Sequence, residues 1–382
     1  MRIVRLTAFH IRLTLKRPIR HALYERTATD NVLVRCELAD GTVGYGEGLP
    51  REYVTGETID TCLERLTQTD LAAQLDDCRD WSAAVHLADR LTLAGDRSAN
   101  AARCAVELAI LDAFGQHFTR PLSDVVPILA PSLYRPRQRV RYSGAIMGAD
   151  GRKLRIAAAA MRIAGFRSVK VKVGIAGHDD ATRLRGVRRY LTYPAVCVYV
   201  DANEAWRRGD IVDRLAELQP FQLAVVEQPV PHAELDCLAA VRRRFGIRIA
   251  LDESACTPDD IERAVALGAI DVANVKMSKC GGFTGALRMA AAARRHGLTL
   301  QVSCQVGESA LSSLAGRQFA AAVDGVEFVE GSYDRFLLRQ NLAPNAGFGW
   351  GGWAAVPRRP GVGVAVDPRR LTAVTVRQVD LR

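Results

Sequence analysis

Lysine is scarce in this chain, and the clustering of its few lysines indicates a role in proton transfer. Of the 52 basic residues in the 382-residue sequence, only six are lysine and the others are arginine. Four of the six stand in two short motifs, SVKVKVG with Lys170 and Lys172, and NVKMSKCGG with Lys276 and Lys279. A lysine can act as a base when its surroundings lower its pKa from about 10.4, whereas an arginine stays protonated. A neighbouring ammonium and a divalent cation would both lower the pKa of Lys172 in this way.

Three acidic residues end neighbouring apolar runs between these two lysine motifs. Asp201 ends CVYVD, Glu227 ends LAVVE and Asp252 ends RIALD. Carboxylates that end successive parallel strands converge at one edge of a sheet, where they repel unless a cation joins them. An all-oxygen site suits a hard ion such as Mg²⁺. The sequence therefore predicts a magnesium site flanked by Lys172 and Lys276, which suits proton transfer next to a substrate carboxylate.

The elements that must hold these residues repeat along the chain. From about residue 140, eight β-branched runs alternate with Ala/Arg/Leu-rich helical segments, and the run ends advance by 24 to 29 residues, at 143, 172, 201, 227, 252, 276, 304 and 330. Each step holds one strand and one helix, which is the βαβ repeat of a parallel sheet. Eight such units predict a (β/α)7β-type TIM barrel in the α/β class. An open doubly wound sheet is the alternative, but no GxGxxG or P-loop motif follows the early strands.

The chain outside the barrel is divided into two further parts. Residues 1–135 are predicted to form an N-terminal α+β capping domain, with strands at 2–14 and 31–38, a turn over 39–48, and helices in ETIDTCLERLTQ and ANAARCAVELAILDAFGQH. Residues 136–344 form the predicted catalytic barrel. Residues 345–382 begin Gly/Pro-rich and end strand-like, and we expect them to return to the capping domain.

The motifs together resemble the enolase superfamily. The chain is similar to the muconate-lactonizing subgroup of the mandelate racemase/muconate lactonizing enzyme family, over essentially its whole length. The resemblance rests on GYGEGLPREYVTGET (44–58), KVK (170–172), DAN (201–203), EQP (227–229), DES (252–254), VKMSKCGG (275–282), GES (307–309) and PGVGVAVD (360–367). Lysines on both the second and the sixth barrel strands separate this subgroup from the branch that uses histidine.

The resemblance implies roles for individual residues. Asp201, Glu227 and Asp252 would bind Mg²⁺, with Mn²⁺ as the alternative ion. Lys172 and Lys276 would be the acid/base pair, and Lys170 would polarise the substrate carboxylate. The metal ligands and lysines would be held in place by Asn203, Glu253 and Lys279. Glu308 would hydrogen-bond to the substrate.

Substrate contacts are expected from two loops and from the end of the eighth strand. Dipeptide epimerases of this subgroup often carry an Asp-x-Asp pair there, whereas this chain has Ser332 and Asp334. Two loops carry cations and tyrosines, one near residues 16–30 and one within GYGEGLPREYVTGET (44–58). We predict that these residues meet a second anionic or acyl group of the substrate: Arg20, Tyr24, Arg51 and Tyr53. A dicarboxylate or an N-acylated amino acid would suit this arrangement.

The composition of the sequence indicates which kinds of partner this protein is expected to bind. Nine scattered cysteines without a CxxC pair, no apolar run of eighteen residues and no signal-peptide pattern predict a cytoplasmic protein with reduced thiols and no membrane. The net charge of +10 is dispersed, so we expect anionic small molecules rather than nucleic acid as partners. A homo-oligomer is expected by analogy with the family.

Several overall reactions fit one shared step, the removal of a proton α to a carboxylate through an enediolate. The resemblance implies a muconate cycloisomerase-like isomerase, which we prefer because the aspartate pair is incomplete. A racemase or epimerase of N-acyl amino acids or dipeptides, and an o-succinylbenzoate synthase-like dehydratase (a lyase), are the alternatives. A barrel that binds a ligand without turnover is the non-enzymatic alternative, and it would predict loss of lysines or carboxylates that are all present.

Overall fold

An antiparallel sheet forms the capping domain in the computed structural model, which describes residues 1–20, 25–94 and 97–381. Its strands are β1 (Ile3–Arg20), β2 (Glu25–Leu38), β3 (Val43–Gly48) and β14 (Thr375–Asp380), in the order β14-β1-β2-β3. Thr7 of β1 lies opposite Arg35 of β2 on one side and Asp380 of β14 on the other. The C-terminal segment therefore returns to the N-terminal sheet and extends it by one strand.

The turn predicted over residues 39–48 is wrong in its second half, which forms β3. The period-two pattern is hidden because Gly44, Gly46 and Gly48 have no side chains to alternate. A Cβ atom at Gly44 would lie 2.1 Å from the backbone nitrogen of Ala113, and one at Gly46 would lie 2.2 Å from the carbonyl oxygen of Ala105. The strand thus uses glycine because a helix backbone packs directly against it.

That helix is the longest of the capping domain. The domain contains α1 (Glu52–Thr55), α2 (Ile59–Gln68), α3 (Trp81–Arg90), α4 (Asn100–His117) and α5 (Val126–Leu129). The two long helices predicted from periodicity correspond to α2 and α4. Helix α4 is buried on all sides from Ala101 to Gly115. The carboxylate of Glu57 accepts hydrogen bonds from the free backbone N–H groups of Ala101 and Ala102, which caps the start of this helix.

The predicted barrel is confirmed as eight parallel strands in sequential order. The strands are β5 (Gly144–Ile146), β6 (Ser168–Lys172), β7 (Cys197–Asp201), β8 (Val226–Glu227), β9 (Ile249–Leu251), β10 (Val272–Val275), β11 (Thr299–Val302) and β12 (Val326–Val329). Seven helices follow the first seven of them: α6 (Gly151–Ile163), α7 (Asp180–Arg188), α8 (Ile211–Leu218), α9 (Leu238–Phe245), α10 (Pro258–Ala266), α11 (Phe283–Arg295) and α12 (Ala310–Ala322). After β12 the chain forms the short α13 (Asp334–Leu337) in place of a full eighth helix, which agrees with the (β/α)7β form.

The sheet curls until its first and last strands meet. The backbone N–H of Ser143, just before β5, donates to the carbonyl oxygen of Val329 in β12 at 2.7 Å. Inside the ring, Tyr199 and Phe328 pack with their ring centroids 4.6 Å apart, beside Val225 and Ala250. The barrel is therefore filled with side chains below its rim, and chemistry has to take place at the strand ends.

The remaining elements connect the C-terminal segment to the barrel and to the capping domain. Strand β4 (Arg139–Arg141) pairs with β13 (Trp353–Ala355), and α14 (Pro368–Val374) leads into β14. Within the described ranges no helix has the length and hydropathy needed to cross a membrane.

Candidate active site

Successive barrel strands bring the predicted residues side by side. In the parallel register Lys172 on β6 pairs with Asp201 on β7, and Asp201 pairs with Glu227 on β8. Asp252 and Lys276 are each the first residue after their strands, β9 and β10. All five stand at the carboxyl ends of the strands, where barrel enzymes carry out their reactions.

Lys170 and Lys172 point to the same side of β6 and share Asp201 as a partner, while Lys170 also binds two further carboxylates. The Lys170 ammonium lies 2.8 Å from Glu227 Oε2, 2.9 Å from Glu330 Oε2 and 3.5 Å from Asp201 Oδ2. The Lys172 ammonium lies 2.8 Å from Asp201 Oδ2 and donates to Asn203 Oδ1. Burial alone would lower the pKa of Lys170, but its carboxylate partners, with Glu227 foremost, outweigh burial and raise it well above its ordinary value.

Lys276 and Lys279 bind opposite oxygens of one carboxylate. Lys276 donates to Asp252 Oδ2, and Lys279 lies 3.0 Å from Asp252 Oδ1 and 2.6 Å from the carbonyl oxygen of Asn274. Burial acts to raise the pKa of Asp252, yet the two ammoniums hold it far below its ordinary value. For Lys276, burial acts to lower the pKa, and Asp252 with Glu253 raises it above its ordinary value. Lys279 is wholly buried, so it orients Asp252 rather than facing a ligand.

Glu227 is held deeper in the barrel than the other two carboxylates. Asn274 donates to its Oε1 at 2.8 Å and Gln301 donates to its Oε2 at 2.8 Å. Burial first, and then the neighbouring charge of Asp201, raise the pKa of Glu227 to about 7. The amide donors fix both oxygens, so this carboxylate is rigid before any ligand binds.

Asp201, Glu227 and Asp252 do not lie within reach of one common ion in the part of the chain that the structure describes. Over residues 1–20, 25–94 and 97–381, no three His, Cys, Asp or Glu side chains come close enough together to hold one ion. The lysine ammoniums lie between the carboxylates instead. Asn203, which binds Lys172, also donates to Glu253 Oε1 at 3.0 Å. The second oxygen of that carboxyl is buried and has no hydrogen bond to any part of the chain that the structure describes. Burial raises the pKa of Glu253 to about 8.

The predicted substrate contacts fall into two groups in the structure. Tyr24 and the side chain of Arg20 lie outside the described residues. Tyr53 sits on α1 with the Arg26 guanidinium 5.6 Å from its ring centroid. Arg51 is buried and donates to Thr29 Oγ1 at 2.6 Å and to backbone carbonyl oxygens of both domains, so it fastens the capping loops to the barrel.

The predicted substrate contacts after the last two strands are buried, and each already makes hydrogen bonds within the protein. Ser332 donates to the Tyr142 hydroxyl at 2.9 Å and accepts from Arg317 at 3.0 Å. Asp334 accepts through one oxygen from the Ala346 backbone N–H at 3.0 Å. Glu308 accepts from a backbone N–H at 2.8 Å, and burial raises its pKa to about 8. Their contacts to a substrate stay a prediction.

Sequence reasoning overlooked Glu330, although it used this position as the end of the eighth strand. Besides Lys170, Glu330 binds the Tyr199 hydroxyl and the Gln301 amide, both at 2.9 Å through Oε1. The rule that selected the other strand-end acids also selects this one. Asn274 and Gln301, which fix Glu227, gave no signal because uncharged residues inside strands are common.

Two family models match most of the chain. The model for the mandelate racemase/muconate lactonizing enzyme N-terminal domain matches residues 3–126, and the model described as enolase C-terminal domain-like matches residues 153–370. The chain belongs to this family. It is thus an isomerase of the enolase superfamily, whose common step is abstraction of a proton α to a carboxylate.

Curated relatives of this family cover nearly the whole chain. An L-Lys-D/L-Arg epimerase of Methylococcus capsulatus is 31% identical over 92% of this chain and 95% of that protein. An N-succinyl-L-Arg/Lys racemase of Bacillus cereus is 26% identical over 98% of this chain and 99% of that protein.

Solved structures of the family agree in fold. The crystal structure of the N-succinyl Arg/Lys racemase from Bacillus cereus superimposes with a TM-score of 0.88 at 25% identity and covers 100% of both chains. A dipeptide epimerase from Enterococcus faecalis, crystallised with Mg and L-Leu-L-Tyr, superimposes with a TM-score of 0.80 at 25% identity over 96% of this chain and 100% of that one.

Proposed function

We propose that this protein is a Mg²⁺-dependent racemase or epimerase whose substrate is an N-acyl amino acid or a dipeptide. The observation that carries the proposal is the position of two lysines in the ring of strands. Lys172 ends the second strand of eight and Lys276 follows the sixth. Strands four places apart in a closed ring of eight lie across from each other, so a substrate between these lysines meets one amine on each face.

The donor set fits a divalent cation by type and by charge. Asp201, Glu227 and Asp252 are buried carboxylates at adjacent strand ends, which is the ligand chemistry that Mg²⁺ prefers. Four lysine ammoniums and four buried carboxylates balance in the ion pairs described above. Lys170 and Lys279 are buried, whereas Lys172 and Lys276 are partly exposed. A lysine that acts as a base is neutral, and a bound substrate adds a carboxylate, so the working site carries two excess negative charges that a divalent cation balances. When bound, such an ion stabilises negative charge on the substrate carboxylate.

Each lysine then has a distinct task. The neutral amine of one acid/base lysine removes the proton from the α-carbon, and the ammonium of the other delivers a proton to the opposite face, which inverts the centre. Asp201 and Asp252 orient these amines through the hydrogen bonds of Lys172 and Lys276. Lys170, held by Glu330 and 7% exposed, supplies a fixed positive charge toward the developing enediolate.

Racemisation or epimerisation fits better than cycloisomerisation, which the sequence analysis preferred. Two amines across from each other suit removal of a proton from one face of a carbon and delivery of another proton to its opposite face. The relatives with high coverage include epimerases and an N-succinyl amino acid racemase. The structural likeness to the muconate lactonizing enzyme of Mucobacterium Smegmatis, at 24% identity, supports the fold alone.

Among these substrates, N-acyl amino acids are favoured over dipeptides. A dipeptide presents a free ammonium, which needs anionic oxygens around it. The Ser332 hydroxyl carries no charge and is already bonded to Tyr142 and Arg317, a cation. An acyl group has no such requirement, and a dicarboxylic acyl group would suit the cationic loops.

Deuterium exchange tests this proposal. The enzyme is incubated in D₂O with Mg²⁺ and a panel of N-succinyl amino acids, dipeptides, cis,cis-muconate and the o-succinylbenzoate precursor, and the α-proton signal is followed by ¹H NMR. We expect exchange with loss of optical rotation for N-succinyl amino acids. In Lys172→Ala the loss of optical rotation should disappear and exchange should be confined to one enantiomer, and EDTA should abolish exchange altogether. Turnover of muconate or of the o-succinylbenzoate precursor without racemisation would reject the proposal. A 26% identical o-succinylbenzoate synthase of Bacillus subtilis makes the last compound a necessary part of the panel.

A further inference from the structure

A small cavity lies beside the catalytic lysines, between the ends of β11 and β12. Its walls include Cys304, Gln305, Glu308, Tyr333 and Asp334. The space holds roughly one water-sized group, so it can take the end of a ligand but not a whole substrate. It opens where the last two strands of the barrel reach the rim, next to the site described above.

The cavity contains polar atoms that have no hydrogen-bond partner among the residues that the structure describes. The side chain of Gln305 is 5% exposed, and neither its oxygen nor its nitrogen makes a hydrogen bond within the described residues. Asp334 is 2% exposed and its Oδ1 is likewise unbonded, although Oδ2 is fixed by Asn341 and by a backbone N–H. Buried polar groups are nearly always satisfied, so a fully buried carboxamide with both ends unmet indicates an absent ligand group.

The cavity adjoins the strand end that leads to Lys276, because the backbone N–H of Ser303 after β11 donates to the carbonyl oxygen of Val275 in β10 at 2.9 Å. Burial, followed by the charges of Glu308 and Glu330, raises the pKa of the Cys304 thiol well above its ordinary value, and Lys276 and Lys170 oppose this effect. Lys276 also acts on Glu308, whose backbone partner is the Gln305 N–H at 2.8 Å. Gln305 and Lys276 thus follow neighbouring strands, β11 and β10, at the same rim of the barrel, so a group bound to Gln305 lies on the side of the site that holds Lys276.

The chemistry of Gln305 restricts what that group can be. A carboxamide offers one acceptor oxygen and a donor nitrogen, so only a partner that both donates and accepts satisfies it. An ammonium would satisfy the oxygen and leave the nitrogen unmet. A carboxylate would satisfy the nitrogen and place a negative charge against the Gln305 oxygen and Asp334 Oδ1. A secondary amide provides both an N–H and a carbonyl oxygen. A water molecule also donates and accepts, and the crystal structure with the amide probe distinguishes the two, since a water in place of the amide on Gln305 would overturn the inference.

We propose that Gln305 is a specificity residue that pairs with an amide of the substrate. This inference rests on the proposed function and narrows it, because it selects substrates with an acylated nitrogen over those with an ester or a free amine at the same position. Gln305 binds and orients, while the proton is moved by Lys172 and Lys276.

The test compares an amide with its ester in wild-type and variant enzymes. The probes are the N-succinyl amino acid that exchanges fastest in the panel above, and the O-succinyl 2-hydroxy acid in which an oxygen replaces the amide nitrogen. For each enzyme, kcat/KM for deuterium exchange is measured on both probes, and the amide-to-ester ratio is the readout. Because the ratio is taken within one enzyme preparation, partial unfolding of a variant does not change it.

We expect Gln305→Leu and Gln305→Met to lower the amide-to-ester ratio about tenfold, since one buried donor–acceptor pair is lost. The matched control is Gln318→Leu, because Gln318 is equally buried but bonds to carbonyl oxygens of Gly361 and Val362, away from the strand ends. The control is expected to change the thermal midpoint and to keep the wild-type ratio.

The outcomes separate the two proposals. An unchanged ratio in both Gln305 variants, with exchange intact, overturns the inference alone and leaves racemisation standing. The absence of exchange with every N-succinyl amino acid in the wild type overturns the proposed function and this inference with it. A crystal structure with Mg²⁺ and the amide probe gives the direct distance, which we expect to be about 3 Å from the amide nitrogen to Gln305 Oε1.

Discussion

The contact between the two domains yields a quantitative prediction at Glu107. This residue lies on α4 of the capping domain, is 0% exposed, and accepts hydrogen bonds from the first backbone N–H groups of barrel helix α11, at 3.1 Å from Phe283 and 2.7 Å from Thr284. Gly282 precedes the helix, and a Cβ there would come within 2.4 Å of Glu107 Oε2. A capping-domain carboxylate thus caps the helix that follows the loop of Lys276.

The magnitude follows from these contacts. Glu107→Gln keeps the volume, but its single carbonyl oxygen can serve only one of the two N–H groups, and its NH₂ group faces the other. The loss of one charge-assisted hydrogen bond costs about 1.5–3 kcal/mol. Removing a negative charge from a helix N-terminus adds roughly 0.3–1 kcal/mol. We therefore expect Glu107→Gln to lower the free energy of unfolding by about 2–4 kcal/mol.

Urea denaturation followed by circular dichroism measures this change. Hydrogen exchange read by mass spectrometry gives a second readout, since the amides of residues 276–286 should exchange faster in the variant than in the wild type. Glu217→Gln is the control, because Glu217 is exposed on α8 and should change stability by no more than about 0.5 kcal/mol. A Glu107→Gln variant within 0.5 kcal/mol of the wild type would refute the reasoning.

Two further predictions concern buried carboxyl groups. Glu330→Gln removes a charge-assisted bond to Lys170. The variant should lose about 2 kcal/mol of unfolding free energy, measured by urea titration, and more than tenfold in kcat, measured by exchange rates. Equal kcat in both enzymes would argue against a role for this pair. Burial raises the pKa of Asp112 from 3.8 to about 6, so the folded protein keeps this proton while the unfolded chain releases it. Stability conferred by Asp112 should therefore be complete below pH 4 and fall by roughly 3 kcal/mol as pH rises to 6. The difference between wild type and Asp112→Asn, measured by urea titration across this range, should show that fall, and a flat difference would contradict it.

The strand ends of the barrel could be predicted from sequence because two local signals coincide there. Hydrophobic runs repeat at a nearly constant interval, and six of the eight end in a charged residue such as Asp201 or Lys276. Each signal is local, so no knowledge of tertiary contacts is needed. The strand β3 lacked the first signal, because its glycines are selected for the approach of α4 rather than for alternation.

The partners of these charges were beyond sequence reasoning. Lys170 binds Glu330, which is 160 positions away in the chain and adjacent only after the barrel closes. The unmet carboxamide of Gln305 likewise becomes visible only when its surroundings are known, since a glutamine near a strand end is usually solvated. Residue type and spacing identify which groups are available, whereas closure of the sheet decides which of them meet.

The positions of Lys172 and Lys276 on opposite faces of the substrate are tested most directly by enantiomer-resolved exchange. Pure L and D forms of the fastest N-succinyl amino acid are incubated separately in D₂O with Mg²⁺ and either Lys172→Ala or Lys276→Ala, and α-proton loss is measured by ¹H NMR. We expect each variant to exchange one enantiomer only, and the two variants to exchange opposite ones. If both variants lost exchange of the same enantiomer, or if either variant exchanged both enantiomers, a two-base site would be contradicted.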